Sequence, residues 1–288
     1  MDKHVLVIAD IEDDDFLALE KAQEIASTIS ASLEVVKFTN YDSDSDETLD
    51  HYITRLEKAL DGLIEKMFDN SDDVARKFIA REEIDEWIVE RCQSNRHPID
   101  LVIKGGHRTE SLFHTPTDWK LMRHLPCPIL IASHTKWKSS PNILMTLDLS
   151  HNDKKHKQLN ELALEWGKYW AQANHEELHA VYSIPIAKPL LELEIVDQRE
   201  VELKKAPAAM DKLKTYLAQY EMDSVTCHVP AGPPEKTIPH LAGELHSDLV
   251  IMGCLGREGV TGFLLGNTAE KVLHNIRTDC LILKLPDN

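Results

Sequence analysis

The chain has 288 residues, of which 42% are apolar, and it carries a formal net charge of −17 at pH 7. This length and apolar content predict about two folded domains with real hydrophobic cores and exclude global disorder. The negative charge argues against binding to nucleic acid or to an anionic membrane surface, because both need a basic face.

The sequence shows no features of a secreted or membrane-spanning protein. No apolar run approaches the roughly 20 residues of a transmembrane helix, and the N-terminal apolar run leads at once into acidic residues. The cysteines Cys92, Cys127, Cys227, Cys254 and Cys280 are odd in number and form no Cys-x-x-Cys pair. These features predict a cytoplasmic protein with reduced thiols.

In chain order, short apolar strands alternate with stretches of helical periodicity. An apolar strand that ends at Asp10 comes first, and residues with helical apolar spacing follow near 18–29 and 49–67. Further strands are expected at 76–80 and 99–105. This alternation predicts a parallel sheet with helices on its faces.

The second half repeats the first at an offset of about 140–150 residues, which indicates a duplicated domain. The strand at 142–148 matches the first strand and also ends in an aspartate, Asp148, while the strand at 247–253 matches the one at 99–105. We predict two domains, at 1–136 and 141–288, with a polar linker between them.

Two segments of the second half contain prolines that predict where helices are interrupted or begin. A long helix is expected near 190–220, with an interruption around Pro207. Gly232, Pro233 and Pro234 lie between a predicted strand and a predicted helix, with proline placed as at a helix start.

A glycine-rich segment joins the strand at 249–252 to the last helix of the chain. It contains Gly253, Gly256, Gly259, Gly262 and Gly266, followed directly by Asn267 and Thr268. Glycines let a backbone approach an anion closely, and a helix start offers unpaired N–H groups. The segment therefore predicts a phosphate site, with Asn267 or Thr268 as the helix cap.

The glycine spacing matches neither the P-loop nor the dinucleotide fingerprint. It resembles the ATP-binding loop G-x2-G-x9-G-[ST] of the universal stress protein family, with Asn267 where that family usually has Ser or Thr. The flanking LLGNTAEKVL also matches, and TPTDWKLMR in the first half resembles the tandem E-type branch. The resemblance covers essentially the whole chain.

This resemblance implies an α/β fold of two tandem domains, Rossmann-like and similar to adenine nucleotide alpha hydrolases. Each would be a five-stranded parallel sheet in the order 3-2-1-4-5, flanked by helices, with ligands beyond the carboxyl ends of the strands. Single-domain members pair through their last strands. Here 128–133 and 280–285 could pair within one chain as a pseudo-dimer, and two such chains could form a further homodimer.

The two predicted domains differ at the loop. Thr115, Pro116 and Thr117 align with the Gly266-Asn267-Thr268 segment, and Pro116 has no N–H to offer a phosphate. We therefore predict that the first domain has lost its phosphate cradle and that nucleotide binds to the second. Asp10 matches Asp148 and is expected to be structural.

By resemblance, the nucleotide site comprises nine residues. Asp148 would contact the nucleoside with Ser150 nearby, Met252 would border the base or ribose, and the phosphates would face Gly253, Gly256, Arg257, Gly266, Asn267 and Thr268. Two alternatives stay open at this stage: Asp148 as a helix cap and Arg257 as a solvated side chain.

The sequence gives little support for metal binding or fast catalysis. Among 15 histidines, His151 and His156 are close in sequence, but no His-Glu-x-x-His motif exists. We expect surface histidines and no specific protein-bound metal. No Walker B aspartate or nucleophile elbow is apparent, so the protein is at most a slow ATP hydrolase.

The resulting hypothesis is a cytoplasmic stress-response protein that binds ATP or a related nucleotide, with or without Mg²⁺, in its second domain. The bound phosphates would order segment 253–266 and change the surface shown to partners. The alternatives are a slow ATPase, and a carrier or scaffold for a different phosphorylated or partly apolar ligand.

Overall fold

The computed structural model describes residues 3–9, 16–29, 31–38, 41, 47–68, 74–79, 84–94, 97–106, 116–133, 137, 142–174, 177–257, 264–265 and 267–285. These residues fall into two compact units, one within 1–134 and one from 135 onward. Within the described ranges, no helix combines the length and the apolar character needed to cross a membrane. Asp10 and, apart from Trp137, the predicted linker at 135–141 lie outside these ranges.

The elements of the first unit in chain order are β1 (Lys3–Ala9), α1 (Leu17–Ile29), β2 (Ala31–Phe38), α2 (Leu49–Met67), β3 (Val74–Ile79), α3 (Ile84–Gln93), β4 (Leu101–Gly105), α4 (Pro116–His124) and β5 (Ile129–Ala132). The strands form a parallel sheet in the order β3-β2-β1-β4-β5.

Helical periodicity explains how these helices cover the sheet. Leu60 and Ile64 of α2 are four residues apart on one face, and both are buried. The side chain of Thr48 caps the same helix by accepting a hydrogen bond from the backbone N–H of His51. All five residues of β4 are buried, as expected for an inner strand covered on both faces.

The second unit repeats this architecture. Its elements are β6 (Asn142–Thr146), α5 (Lys154–Asn174), β7 (Glu177–Val181), α6 (Lys188–Glu192), α7 (Gln198–Ala218), β8 (Thr226–His228), α8 (Pro234–Glu244), β9 (Leu249–Gly253), β10 (Gly256–Arg257), β11 (Leu264–Leu265), α9 (Asn267–Asn275) and β12 (Asp279–Leu283). Its parallel strands lie in the order β12-β9-β6-β7-β8. When the parallel strands of each unit are numbered from 1 to 5 in chain order, leaving out β10 and β11, both sheets have the predicted order 3-2-1-4-5. The predicted fold class is therefore confirmed.

The predicted helix near 190–220 is broken, but not at the predicted place. The break lies between α6 and α7, where Glu194 has a φ of 53° and the side chain of Asp197 caps α7. Pro207 lies inside α7 instead. Proline is tolerated there because Pro207 and Leu203, whose carbonyl loses its helical partner, are both exposed to water.

The turn before α8 agrees with its prediction. Pro234 is the first residue of the helix and Pro233 precedes it as the cap. Gly232 has a φ of +136°, a conformation that other residues rarely adopt. Its backbone N–H also donates a hydrogen bond to the carbonyl of Ile184, at 2.9 Å, which holds the turn against the end of β7.

Candidate functional site

The candidate site lies where two neighbouring strands of the second unit end. β6 and β9 run parallel, with Met145 opposite Ile251, so the residues that follow both strands emerge at the same edge of the sheet. Those residues are Asp148 after β6 and the glycine segment after Gly253. Strand order reverses between these strands, which is where ligands bind in open α/β sheets.

Asp148 and Ser150, both predicted site residues, are in direct contact. The Asp148 Oδ1 atom accepts hydrogen bonds from the Ser150 backbone N–H at 2.8 Å and from the Ser150 hydroxyl at 2.5 Å. Burial alone would raise the pKa of Asp148, but hydrogen bonds from Ser150 and His151 outweigh it and lower the pKa. Asp148 is therefore an ionised acceptor at neutral pH.

The alternative that Asp148 caps the following helix is wrong. α5 begins at Lys154, and the cap is Asp153, whose Oδ1 atom accepts hydrogen bonds from the backbone N–H groups of Lys155 and His156, each at 3.1 Å. The side chain of Asp148 is 43% exposed and is not needed to cap the helix. It can accept a hydrogen bond from a ligand.

A buried asparagine fixes the position of Asp148. The Oδ1 atom of Asn160 accepts from the Asp148 backbone N–H at 3.0 Å, and its Nδ2 atom donates to the Asp148 carbonyl at 2.8 Å. Asn160 lies on α5 and is 6% exposed. Because both backbone groups of one residue are held by one side chain, the strand-to-helix loop is anchored to the helix that packs on the sheet.

Two histidines that we expected to be ordinary surface residues lie against Asp148. The Asp148 Oδ2 atom is 2.8 Å from Nδ1 of His151 and 3.6 Å from Nε2 of His156. The sequence spacing of five residues spans a loop and the first turn of α5, so no periodicity rule predicts the meeting. Only the path of residues 148–153 brings these three side chains together.

A lysine from α7 adds positive charge to the same loop, and the sequence analysis missed it. The ammonium of Lys212 donates a hydrogen bond to the Leu149 carbonyl and lies 5.8 Å from the centroid of the Tyr182 ring. The pKa of Tyr182 is raised by burial and, to a smaller extent, by the negative charge of Asp148. Tyr182 and Lys212 therefore belong to the surroundings of Asp148.

The glycine segment is described at its two ends. Gly256 pairs with Leu265 and Arg257 with Leu264 in a short antiparallel ladder, which closes the segment at its base. At Gly253, an added Cβ would lie 3.2 Å from side-chain atoms of Leu159. Close packing against Leu159 therefore explains why this position is a glycine. The side chain of Arg257 and all of Gly259, Gly262 and Gly266 lie outside the described residues.

Helix α9 begins at Asn267, one residue earlier than a cap at Asn267 requires. Asn267 and Thr268 therefore lie in the first turn, and the side chain of Asn267 lies outside the described residues, so the predicted cap stays a prediction. Their backbone N–H groups and that of Ala269 have no acceptor within the helix. Because α9 connects the neighbouring parallel strands β9 and β12, it runs back against them, and its N-terminus lies at the edge that carries Asp148.

Two further positions complete the set of predicted site residues. Thr268 is exposed and can offer its hydroxyl to a ligand. Met252 is 4% exposed within β9, so its side chain has little free surface for a base or ribose. The predicted contact of Met252 with a nucleoside stays a prediction.

Comparison with known proteins gives the family. The model described as "Universal stress protein family" matches residues 1–133 and 152–284. The chain is 33% identical to universal stress protein E of Salmonella typhi over 208 residues, which is 70% of this chain and 65% of that protein. The Escherichia coli K12 protein of the same name matches with the same identity and coverage. The match thus spans just under two thirds of the length of these curated relatives.

Two solved structures share the fold over almost the full chain. A protein described as functionally unknown, from Pseudomonas aeruginosa PAO1, has a TM-score of 0.74 and 25% identity, covering 99% of this chain and 93% of that one. A universal stress protein from Archaeoglobus fulgidus has a TM-score of 0.67 and 17% identity, covering 98% of each chain, and at that identity the likeness concerns the fold alone. With two domains matched by one family model, the chain belongs to the universal stress protein family of stress-response proteins.

Proposed function

We propose that the second domain binds ATP or a related nucleotide and acts as a ligand-responsive switch in the stress response. The phosphates would bind to the first turn of α9, and the nucleoside would contact Asp148. The observation that carries the proposal is that an ionised carboxylate and the start of a helix, whose first N–H groups have no acceptor within the helix, lie at one edge of the sheet, beside the point where strand order reverses.

The chemistry of the site suits an anionic ligand with a polar nucleoside. The N–H groups of Asn267, Thr268 and Ala269 can each donate to a phosphate oxygen, and the helix dipole adds a positive partial charge. Asp148 can only accept hydrogen bonds, so it suits hydroxyl or amino groups of a nucleoside. Lys212 supplies a positive charge beside the same loop.

The first domain provides an internal comparison. Helix α4 occupies the same place in its sheet as α9 does, but it begins at Pro116 where α9 begins at Asn267. Proline has no N–H, so one of the donors available to a phosphate in the second domain is missing from the first. This difference supports nucleotide binding by the second domain in preference to the first.

The switch itself would be conformational. We propose that bound phosphates change the conformation of segment 253–266, which follows β9 and leads into α9, and so alter the surface offered to a partner. A ligand shifts such an equilibrium only by its difference in affinity for the two states. The proposal therefore needs a nucleotide whose phosphates contact the segment in one state and not in the other.

Mass spectrometry of small molecules released from the freshly purified protein identifies the ligand. We expect ATP or ADP from the wild type and a much smaller amount from an Asn267→Pro variant, which tests the α9 donor directly. A different phosphorylated species would favour the carrier alternative. If no ligand is released and added ATP also fails to bind, the nucleotide proposal is wrong.

A further inference from the structure

The side chains around Asp148 have the composition of a metal site. One ligand atom each from Asp148, His151 and His156 lies within 4.8 Å of the other two. Asp148 follows β6, His151 lies in the loop, and His156 is in the first turn of α5. The three ligands thus come from one continuous segment whose two ends are held by the sheet and by a long helix.

A fourth residue orients one of the histidines. The Nδ1 atom of His156 lies 2.5 Å from the Asp153 Oδ2 atom, and because a carboxylate only accepts, Nδ1 carries the proton of this hydrogen bond. In the neutral imidazole, the Nε2 atom of His156 then carries the lone pair, and it lies 3.6 Å from Oδ2 of Asp148. A carboxylate that holds the far nitrogen of a metal-binding histidine is the usual second layer of such sites.

The two oxygens of Asp148 have separate partners. Ser150 occupies Oδ1 with its N–H and its hydroxyl, whereas Oδ2 faces the two histidines. Asn160 holds the backbone of Asp148 through two hydrogen bonds. Oδ2 of Asp148 and Nε2 of His156 are thereby kept close together, and a cation between them would replace the hydrogen bond that Oδ2 now makes with His151.

We propose that Asp148, His151 and His156 bind one divalent transition-metal ion, with Asp153 as a positioning residue. Two imidazoles and one carboxylate favour Zn²⁺, Co²⁺, Ni²⁺ or Cu²⁺ over Mg²⁺ or Ca²⁺, which prefer oxygen ligands. Three protein ligands leave a coordination position for water or for a ligand. The proposal does not depend on nucleotide binding, since it rests on these side chains alone.

Metal binding requires one local rearrangement. The rings of His151 and His156 stack at 4.2 Å with 16° between their planes, and imidazole lone pairs lie in the ring plane, so the stacked rings cannot both point at one ion. His151 has to rotate, which breaks its hydrogen bond with Asp148, and its 58% exposed side chain has room for that rotation. We therefore expect His151 to contribute less to the affinity than His156, which Asp153 already orients.

Cobalt titration of metal-free, tag-free protein tests the proposal without nucleotide. The matched variants are His151→Gln, His156→Gln and Asp153→Asn, and the control is His240→Gln, which removes an exposed histidine whose Nε2 atom lies 3.4 Å from Glu244 on a helix surface. We expect one equivalent of Co²⁺ to bind and to give visible absorption bands. Zn²⁺ should displace this bound Co²⁺, and Mg²⁺ should not. His156→Gln should abolish this equivalent, and Asp153→Asn should weaken it roughly 10- to 100-fold.

The outcomes separate this site from adventitious binding. His151→Gln changes an exposed side chain and should leave the far-UV circular dichroism unchanged, so its reduced cobalt affinity cannot be ascribed to misfolding. Cobalt binding that is unchanged in both His151→Gln and His156→Gln would overturn the proposal. Equal losses in His240→Gln, or the absence of a specific equivalent in the wild type, would overturn it as well.

Discussion

Glu34 in the first unit offers a sharp test of how buried charge contributes to stability. Its carboxylate is 5% exposed on β2 and contacts Arg91 at 2.6 Å and Lys77 at 2.8 Å. His4 lies beside Arg91, with its Nε2 atom 3.4 Å from the same carboxylate. Burial would raise the pKa of Glu34, but hydrogen bonds and charge from Arg91 and Lys77 outweigh it and lower the pKa to about 2.

The depressed pKa sets both the size and the pH window of the effect. Lowering the pKa from 4.5 to about 2 corresponds to roughly 3 kcal/mol in the free energy of unfolding. Because the folded-state pKa is the lower one, this stabilisation is present above pH 4.5 and is lost as the pH falls toward 2. Glu34→Gln should therefore destabilise the first unit by about 3 kcal/mol at pH 7 and by less than half of that at pH 3.

Pulse hydrogen exchange in urea, read by mass spectrometry on peptides from residues 31–38, reports the unfolding of this unit alone. The control is Glu47→Gln, which breaks a contact with Arg55 on the surface of the same unit and should change stability little at either pH. A destabilisation by Glu34→Gln that is equally large at pH 7 and pH 3 would refute the argument, as would its absence at pH 7.

Two further predictions concern the stability of the fold. Gly232→Ala should lower the free energy of unfolding by about 1–3 kcal/mol, because φ is +136° and the new Cβ would lie 3.3 Å from Gln198 and Thr237. The control is Gly62→Ala in α2, where the new Cβ would have no neighbour within 4 Å, and it should raise the free energy of unfolding by about 0.5–1 kcal/mol. Urea unfolding should therefore show changes in stability of opposite sign for the two variants. Trp137→Phe should cost about 1.5–3 kcal/mol in thermal unfolding, because it removes the 2.7 Å hydrogen bond to the fully buried Asp279; an unchanged melting temperature would contradict this.

The fold could be predicted from the sequence because its signals are local or repeated. Buried strands such as β4 and β9 are apolar runs, Pro234 begins a helix as expected, and the duplication lets each half support the assignment of the other. The edge of the sheet that carries Asp148 follows from the same reasoning. The carboxyl ends of parallel strands meet at one edge whatever the side chains are.

The structural features that the sequence did not predict depend on the path of the chain and on packing. The approach of His151 and His156 to Asp148 is set by a loop of a few residues, for which hydrophobic periodicity gives no information. Lys212 reaches the same loop from α7, far away in sequence. Helix α7 continues through Pro207 because Pro207 and Leu203 are exposed to water, whereas the break before Asp197 goes with the positive φ of Glu194.

The central claim is that phosphates bind to the first turn of α9, and isothermal titration with ATP of the wild type beside an Asn267→Pro variant tests it most directly. Proline fits the first position of a helix, so the variant should fold while losing one N–H donor. A hydrogen bond to a charged group contributes about 1.5–3 kcal/mol, so we expect ATP affinity to fall roughly 10- to 100-fold. An ATP affinity equal to that of the wild type would place the phosphates elsewhere and contradict the account.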